Sequence, residues 1–308
     1  MRLLMQNVAI RGLVPVLATP FTETLDLDRG SLRRLVEFQA RSGADGVAIF
    51  GMASEAFTLT TSEREAILTD VVAAAGPMPV VAGVGATAIA PALEQLRQLA
   101  DGGARAAMVL PPFMVKPGPV QLVDFYATLA AEAVRLGVSI MVQDAPGATG
   151  VAMTPELIVA LSDIDGVDSV KVEAPPTLPK MCAVAAALGD RPMAMLGGQN
   201  AQFVLDEYAC GAVGTMPACE FTDLLAATLA AWNSGDRAGA RESFAHLLPL
   251  IVWGLQSGPA WAIHKEVLVR RGVISSAAVR APAQPIPARM AELLTEVLAP
   301  LPLTPASV

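Results

Sequence analysis

The chain has 308 residues, of which 53% are hydrophobic and only 16% are charged. This composition excludes a disordered chain, because the apolar surface is large enough to offset the entropy lost on folding. The formal net charge is −8, from 21 basic and 29 acidic residues. No basic cluster occurs that would neutralise phosphates, so we expect no nucleic-acid partner.

The sequence also argues against membrane insertion and secretion. Apolar runs such as Leu224–Trp232 are far shorter than the roughly 18 residues that span a bilayer. The N-terminal segment MRLLMQNVAIRG lacks the cleavage pattern of a signal peptide. We therefore expect a cytoplasmic protein with no membrane contact.

The cysteine and histidine content predicts neither a metal site nor a disulfide framework. Cys182, Cys210 and Cys219 are too few and too irregularly spaced for either. We expect them to be small buried apolar residues in a reducing compartment. His246 and His264 lie in segments with a helical pattern, and nucleotide-binding glycine motifs are absent. We predict no metal and no dissociable cofactor.

Eight short apolar runs alternate with segments of helical periodicity. Each run is nearly continuous in Val, Ile, Leu, Met and Ala, which is typical of a parallel strand buried on both faces. The runs are Leu13–Ala18, Gly46–Phe50, Val80–Val84, Ala106–Leu110, Val138–Val142, Val167–Val172, Met193–Leu196 and Ala212–Met216.

Helix signals separate these runs. Helices are expected to open at Asp28, at Thr61 and at Thr154, where the proline that follows suits the first helical position. Glycines that suit helix ends are Gly43, Gly76, Gly102, Gly137 and Gly189.

The repeated strand–helix alternation predicts an α/β fold closed into a (β/α)8 TIM barrel, with an open doubly wound sheet as the alternative. We assign residues 1–233 to the barrel and residues 234–308 to a helical C-terminal appendage of the same domain. Since barrel enzymes carry their chemistry at the carboxyl ends of the strands, candidate residues are sought there.

Lys171 interrupts the sixth apolar run, whereas Lys116, Lys180 and Lys265 lie in loop or helix segments suited to solvated charges. A buried lysine is costly, and its compensating use is to attack a carbonyl and form a Schiff base. The alternative is a structural ion pair with Glu173. Glu173 follows Lys171 by two residues, so both side chains should share one face, where a carboxylate can move protons.

Three further segments contribute candidates. One of Gln143 and Asp144, at the end of the fifth run, should point into the barrel mouth. The turn Gly51-Met-Ala-Ser-Glu offers the backbone at Ala53 and the Ser54 hydroxyl to a ligand carboxylate. The turn Gly197-Gly-Gln-Asn, with Gly198 and Asn200, permits a ligand to approach the backbone. 

These segments resemble the dihydrodipicolinate synthase / N-acetylneuraminate lyase family of Schiff-base-forming lyases. The resemblance runs from Gly12-Leu-Val-Pro-Val-Leu-Ala-Thr-Pro-Phe through the Gly51 turn and Gln143-Asp-Ala-Pro-Gly-Ala-Thr-Gly to Ser169-Val-Lys and the C-terminal helices. It implies a barrel, usually a tetramer, in which Lys171 condenses with C2 of a 2-oxo acid without a cofactor.

Departures from the family pattern narrow the expected activity. Gln143 replaces the proton-shuttling tyrosine of the synthases and aldolases, Met52 and Ala53 replace a threonine pair, and Ala148 replaces an arginine. The two tyrosines, Tyr126 and Tyr208, lie in helical segments. Dihydrodipicolinate synthesis and ordinary retro-aldol cleavage are therefore not expected.

The combination of Gln143, Lys171 and Glu173 resembles the L-2-keto-3-deoxyarabonate dehydratase branch, as do Gln256-Ser-Gly, Lys265 and Arg271-Gly-Val-Ile in the C-terminal segment. This resemblance implies dehydration of a 2-keto-3-deoxy sugar acid, with Glu173 as the base. Asn200 stands where that branch has a second carboxylate. The alternatives are a pyruvate-dependent aldolase of the same family and a catalytically silent barrel that binds a keto acid.

Overall fold

A ring of parallel strands forms the centre of the molecule. The computed structural model describes residues 9–303, so most of the N-terminal segment considered for a signal peptide lies outside the described residues. The strands follow one another in the order β1-β8-β7-β6-β5-β4-β3-β2. They are β1 (Gly12–Leu13), β2 (Val47–Ile49), β3 (Val80–Val84), β4 (Ala106–Val109), β5 (Ser139–Asp144), β6 (Val167–Val172), β7 (Ala194–Gly197) and β8 (Gly214–Thr215).

Backbone pairing just after β1 closes the ring. Val16 forms parallel bridges both to Ala48 of β2 and to Ala218 beyond β8. All ladders between neighbouring strands are parallel. The predicted (β/α)8 barrel is thus confirmed, and the open sheet is wrong.

Helices connect successive strands and continue after β8. They are α1 (Arg29–Arg41), α2 (Thr61–Ala75), α3 (Ile89–Asp101), α4 (Pro119–Leu136), α5 (Pro146–Thr149), α6 (Pro155–Ser162), α7 (Thr177–Leu188), α8 (Val204–Ala209), α9 (Thr222–Asn233), α10 (Arg237–Trp253), α11 (Ala260–Arg270) and α12 (Ala288–Leu298). Along residues 9–303, none of them is long and apolar enough to cross a bilayer.

The helix-start signals act as the sequence indicates. Asp28 caps α1 by accepting a hydrogen bond from the Ser31 N–H at 2.9 Å, and Thr154 caps α6. Thr60, rather than Thr61, caps α2, in a reciprocal box with Glu63. Four of the five expected glycines stand at helix C-caps, and Gly43 lies one residue beyond the end cap of α1.

Strand alternation divides the apolar residues into two layers. Met108, Met141 and Leu196 belong to the cluster inside the barrel, whereas Val170 and Val172 belong to the layer between strands and helices. A separate cluster joins Leu13 and Leu225 of the barrel to residues of α10, α11 and α12, including Leu250, Ile263 and Leu294. The boundary between residues 233 and 234 stays a prediction.

The expectation of three unpaired cysteines is wrong. Cys182 of α7 and Cys210 at the end of α8 form a disulfide, with Cα atoms 5.2 Å apart, and Cys219 is a buried free thiol. The two paired cysteines are 28 residues apart in sequence, which is about one strand–helix unit. They meet because the barrel brings the helices after β6 and β7 side by side, a proximity that cysteine spacing alone does not reveal.

A buried amide joins the first and last parts of the ring. The Gln39 side chain donates to the Cys219 carbonyl at 2.9 Å and accepts from the Thr222 hydroxyl at 2.5 Å. We expect Gln39→Leu to lower the free energy of unfolding by about 2 kcal/mol, because it leaves buried polar partners without this amide. Urea denaturation measures this change, and Glu37→Ala, exposed on the same helix, is the control. Equal stabilities of the two variants would contradict the assignment.

Candidate active site

Lys171, Glu173 and Gln143 form a buried cluster at the carboxyl ends of β5 and β6. Lys171 Nζ lies 3.2 Å from Glu173 Oε1, and Gln143 Nε2 donates to Glu173 Oε2 at 2.8 Å. The three residues are only 3%, 4% and 2% exposed, respectively. Gln143 and Lys171 are paired in register, and the contact between Lys171 and Glu173 confirms that these two side chains share one face. The cluster combines an amine, a carboxylate and an amide in one nearly dry site.

Gln199 holds the same carboxylate from the end of β7, a role that the sequence did not reveal. Its backbone N–H donates to Glu173 Oε1 at 3.4 Å, and its side-chain amide donates to the Glu173 carbonyl at 2.8 Å. Gln199, Asn200 and Ala201 all have positive φ, at 48°, 53° and 61°. Three successive non-glycine residues in this region are strained, and strain of this kind concentrates at functional sites.

Asp144 points away from the barrel mouth, so its assignment as a substrate-binding residue is wrong. Its carboxylate is fully buried and lies 3.0 Å from Lys180 Nζ of α7. Burial raises the pKa of Asp144, while Lys180 opposes that shift. Strand alternation explains the outcome: when Gln143 faces inward, its neighbour must face the helix layer. Lys180 is consequently a structural partner instead of a solvated charge.

The turn after β2 lies at the barrel mouth and carries the Ser54 hydroxyl. That hydroxyl donates to the Leu17 carbonyl at 2.7 Å, and the Ser54 carbonyl accepts from Thr19 at 2.6 Å. The single proton of this hydroxyl is used within the protein, and the use of Ser54 in substrate binding stays a prediction. Ala53 packs against the apolar cluster inside the barrel, and its proposed use as a backbone ligand stays a prediction.

Asn200 joins the turn after β7 to α10 and to the segment after β8, and its assignment to substrate binding stays a prediction. Its Nδ2 donates to the Ile251 carbonyl at 3.0 Å, and its Oδ1 accepts from the Ala218 N–H at 2.9 Å. Gly198 is required for a different reason from the one expected: a Cβ at this position would overlap the Glu173 side chain. Ligand approach at Gly198 stays a prediction.

Glu207 supplies a second carboxyl group near the cluster, from α8 and not from the turn after β7. It is fully buried and lies against Gly197, where any Cβ would overlap its carboxyl group. Burial raises its pKa to about 8, with further raising by Glu173 and Asp206 and a lowering by Lys171. Gly197 is in register with Val172, which faces the helix layer. Glu207 therefore lies on the helix side of β7, outside the barrel mouth, and interacts electrostatically with Glu173 and Lys171 across the strand.

Both tyrosines lie in helices, as expected. Tyr126 of α4 donates to the Val109 carbonyl at 2.9 Å, and Tyr208 belongs to α8. Burial raises the pKa of each hydroxyl. Over residues 9–303, no group of three or more His, Cys, Asp and Glu residues is arranged to hold a metal ion.

Comparison with known proteins identifies the family to which this barrel belongs. The family model described as the dihydrodipicolinate synthetase family matches residues 9–300. The chain belongs to this family. As a dihydrodipicolinate synthetase family member it is a lyase, acting on a small molecule.

Individual relatives in the dihydrodipicolinate synthetase family differ in activity. The chain is 30% identical over 242 residues to 4-hydroxy-tetrahydrodipicolinate synthase from Methanococcoides burtonii, covering 78% of this chain and 81% of the relative. It is also 30% identical to L-2-keto-3-deoxyarabonate dehydratase from Azospirillum brasilense, over 94% of this chain and 93% of the relative. The crystal structure of dihydrodipicolinate synthase from Rhodopseudomonas palustris matches with a TM-score of 0.88 at 30% identity, covering 95% and 98% of the two chains.

The raised pKa of Glu207 predicts a pH-dependent stability. The folded state holds this proton up to about pH 8, whereas an unfolded glutamate releases it near pH 4.3. Glu207 therefore destabilises the fold progressively as the pH rises between these values. We expect Glu207→Gln to match the wild type near pH 4.5 and to exceed its free energy of unfolding at pH 8 by up to about 5 kcal/mol.

Chemical denaturation at the two pH values measures this difference. Glu242→Gln is the control, since Glu242 is exposed on α10 and is not among the groups that shift the pKa of Glu207. A stability difference between Glu207→Gln and wild type that is the same at both pH values would refute the explanation.

Proposed function

We propose that the protein is a Schiff-base-forming hydro-lyase that dehydrates a 2-keto-3-deoxy sugar acid, with L-2-keto-3-deoxyarabonate as the best single substrate and 2-oxoglutarate semialdehyde as the product. The observation that carries the proposal is the buried contact between Lys171 and Glu173, with Gln143 holding the carboxylate. A relative that covers 94% of this chain is named as a dehydratase of this substrate, which supports the choice.

Lys171 is the nucleophile in this mechanism. Its ammonium first passes a proton to Glu173, and the free amine attacks C2 of the keto acid. Glu173 returns the proton to the carbonyl oxygen, which leaves as water and leaves an iminium at C2. The iminium withdraws electrons and acidifies the protons at C3. The covalent adduct itself accepts the electrons, so the reaction needs neither a metal nor a dissociable cofactor.

Glu173 is the proton-transfer group. Its carboxylate removes a proton from C3, and the hydroxyl at C4 departs as water after taking up a proton. Tautomerisation of the unsaturated adduct and hydrolysis of the iminium then release the product and restore Lys171. Gln143 orients Glu173 and a substrate hydroxyl, and the backbone around Ala53 receives the 1-carboxylate.

We also propose that the protein is a cytoplasmic homotetramer. Met114, Val115 and Val120 are large apolar side chains exposed on one segment after β4, which suits a subunit contact. Light scattering measures the oligomeric state. Fractionation of cells that express the protein tests the location, and recovery in the cytoplasmic fraction would support it.

Borohydride trapping tests the proposed reaction directly. After reduction in the presence of 2-keto-3-deoxy-L-arabonate, intact mass and peptide mapping should find an adduct on Lys171 that is one water lighter than the full substrate adduct. Lys171→Ala should lose both the adduct and turnover, whereas Lys116→Ala, which changes an exposed lysine, should lose neither.

Other adducts would point to other functions. A pyruvyl group on Lys171 would mean carbon–carbon cleavage and would favour the aldolase, for which Glu173 or water would replace the missing tyrosine. Ligand-induced thermal stabilisation without any turnover would favour a silent keto-acid-binding barrel. Full turnover by Lys171→Ala would eliminate the Schiff-base mechanism.

A substitution at Glu173 separates the adduct from the later chemistry. We expect Glu173→Gln to retain borohydride trapping on Lys171 but to reduce kcat by about 10²- to 10⁴-fold, because the general base is lost. Single-turnover kinetics with mass detection of the adduct measures both steps. Glu156→Gln, at the start of α6, is the control. Near-normal kcat in Glu173→Gln would assign the proton transfer elsewhere.

A further inference from the structure

The turn after β2 is held by the C-terminal helices as well as by the barrel. Two 3-10 turns, Met52–Ser54 and Ala56–Thr58, meet at Glu55, whose φ of 53° is left-handed. This segment carries Ala53 at the barrel mouth. Because a left-handed glutamate is strained, the segment keeps its shape only if its neighbours fix it.

Lys265 of α11 fixes the junction between the two turns. Its ammonium forms an ion pair with Glu55 Oε1, and both side chains are fully buried. Glu55 Oε2 accepts a hydrogen bond from the backbone N–H of Arg280 at 3.1 Å. Lys265 also donates to the Ala278 carbonyl at 2.8 Å and lies 4.3 Å from the centre of the Phe21 ring. The prediction of a solvated Lys265 is therefore wrong.

Trp261, one helical turn earlier on α11, fixes the first 3-10 turn. Its indole N–H donates to the Met52 carbonyl at 2.6 Å. Its ring packs edge-on against Phe57 of the second turn, with centroids 5.3 Å apart. Positions four apart lie on the same face of a helix, so Trp261 and Lys265 both contact the two 3-10 turns from one face of α11.

We propose that α11 is a clamp on the segment Gly51–Thr58, in which Trp261 and Lys265 are positioning residues that set the affinity for the 1-carboxylate of the substrate. The inference rests on the proposed function, in which the backbone around Ala53 receives that carboxylate. It assigns to the C-terminal helices a role in substrate recognition that the barrel alone does not provide.

The clamp predicts a selective defect. Trp261→Phe keeps the ring that packs on Phe57 but removes the N–H that holds the Met52 carbonyl. The concentration of pyruvate that half-saturates borohydride trapping on Lys171 should rise about five- to tenfold, as for the loss of one hydrogen bond. Trapping of methyl pyruvate, which lacks the charged carboxylate, should stay unchanged. With sugar-acid substrate, KM should rise while kcat stays within about twofold.

Controls separate the clamp from general effects. Trp253→Phe, on α10, should leave both probes unchanged, and Phe57→Ala, which removes the exposed partner of Trp261, should reproduce the pyruvate defect if Trp261→Phe fails to fold. Lys265→Met should show a larger pyruvate defect, partly rescued by Lys265→Arg. Equal weakening of pyruvate and methyl pyruvate trapping, or no weakening of either, would overturn the clamp.

Failure of the proposed function would look different. If wild-type protein traps no pyruvate on Lys171, the Schiff-base mechanism is wrong. The affinity for pyruvate, measured by calorimetric titration, then tests the clamp independently of that mechanism. Weaker pyruvate binding by Trp261→Phe than by wild type would support it. Equal affinity, or no binding by either protein, would overturn it.

Discussion

Desolvation of an ammonium and a carboxylate 3.2 Å apart is the physical constraint around which the barrel mouth is organised. Each charge is stable inside the barrel only because the other is present, and removal of either partner leaves an uncompensated ion. Neighbouring groups also form hydrogen bonds with the Glu173 carboxylate: Gln143 donates to one oxygen, and the Gln199 backbone N–H donates to the other. Gly198 leaves the space that the Glu173 side chain occupies.

The same hydrogen bonds fix the orientation of the Glu173 carboxylate. Donors fix the Glu173 carboxylate on three sides, so its orientation relative to Lys171 is set before a ligand enters. Preorganisation of this kind reduces the reorganisation that a proton transfer would otherwise require. The strained run from Gln199 to Ala201 is part of the same arrangement, since it aims the Gln199 N–H at that carboxylate.

The sequence predicted what depends on local periodicity and missed what depends on tertiary proximity. Eight apolar runs sufficed for the barrel, and a spacing of two placed Lys171 and Glu173 on one face. Periodicity could not decide between Gln143 and Asp144, because the phase of a strand is set by its neighbours. The hydrogen bond from Ser54 and the burial of Glu207 both depend on segments that become adjacent only in the fold. No local pattern marks either one.

Gly197 and Gly198 lie between two acidic side chains, one on each side of β7. Any residue larger than glycine at the first position displaces Glu207, and at the second position it displaces Glu173. Substitutions at these two glycines are therefore poor routes to a new substrate specificity, although this strand end borders the site. The turn after β2 offers more room for a change of side chain, because Met52 there is 37% exposed.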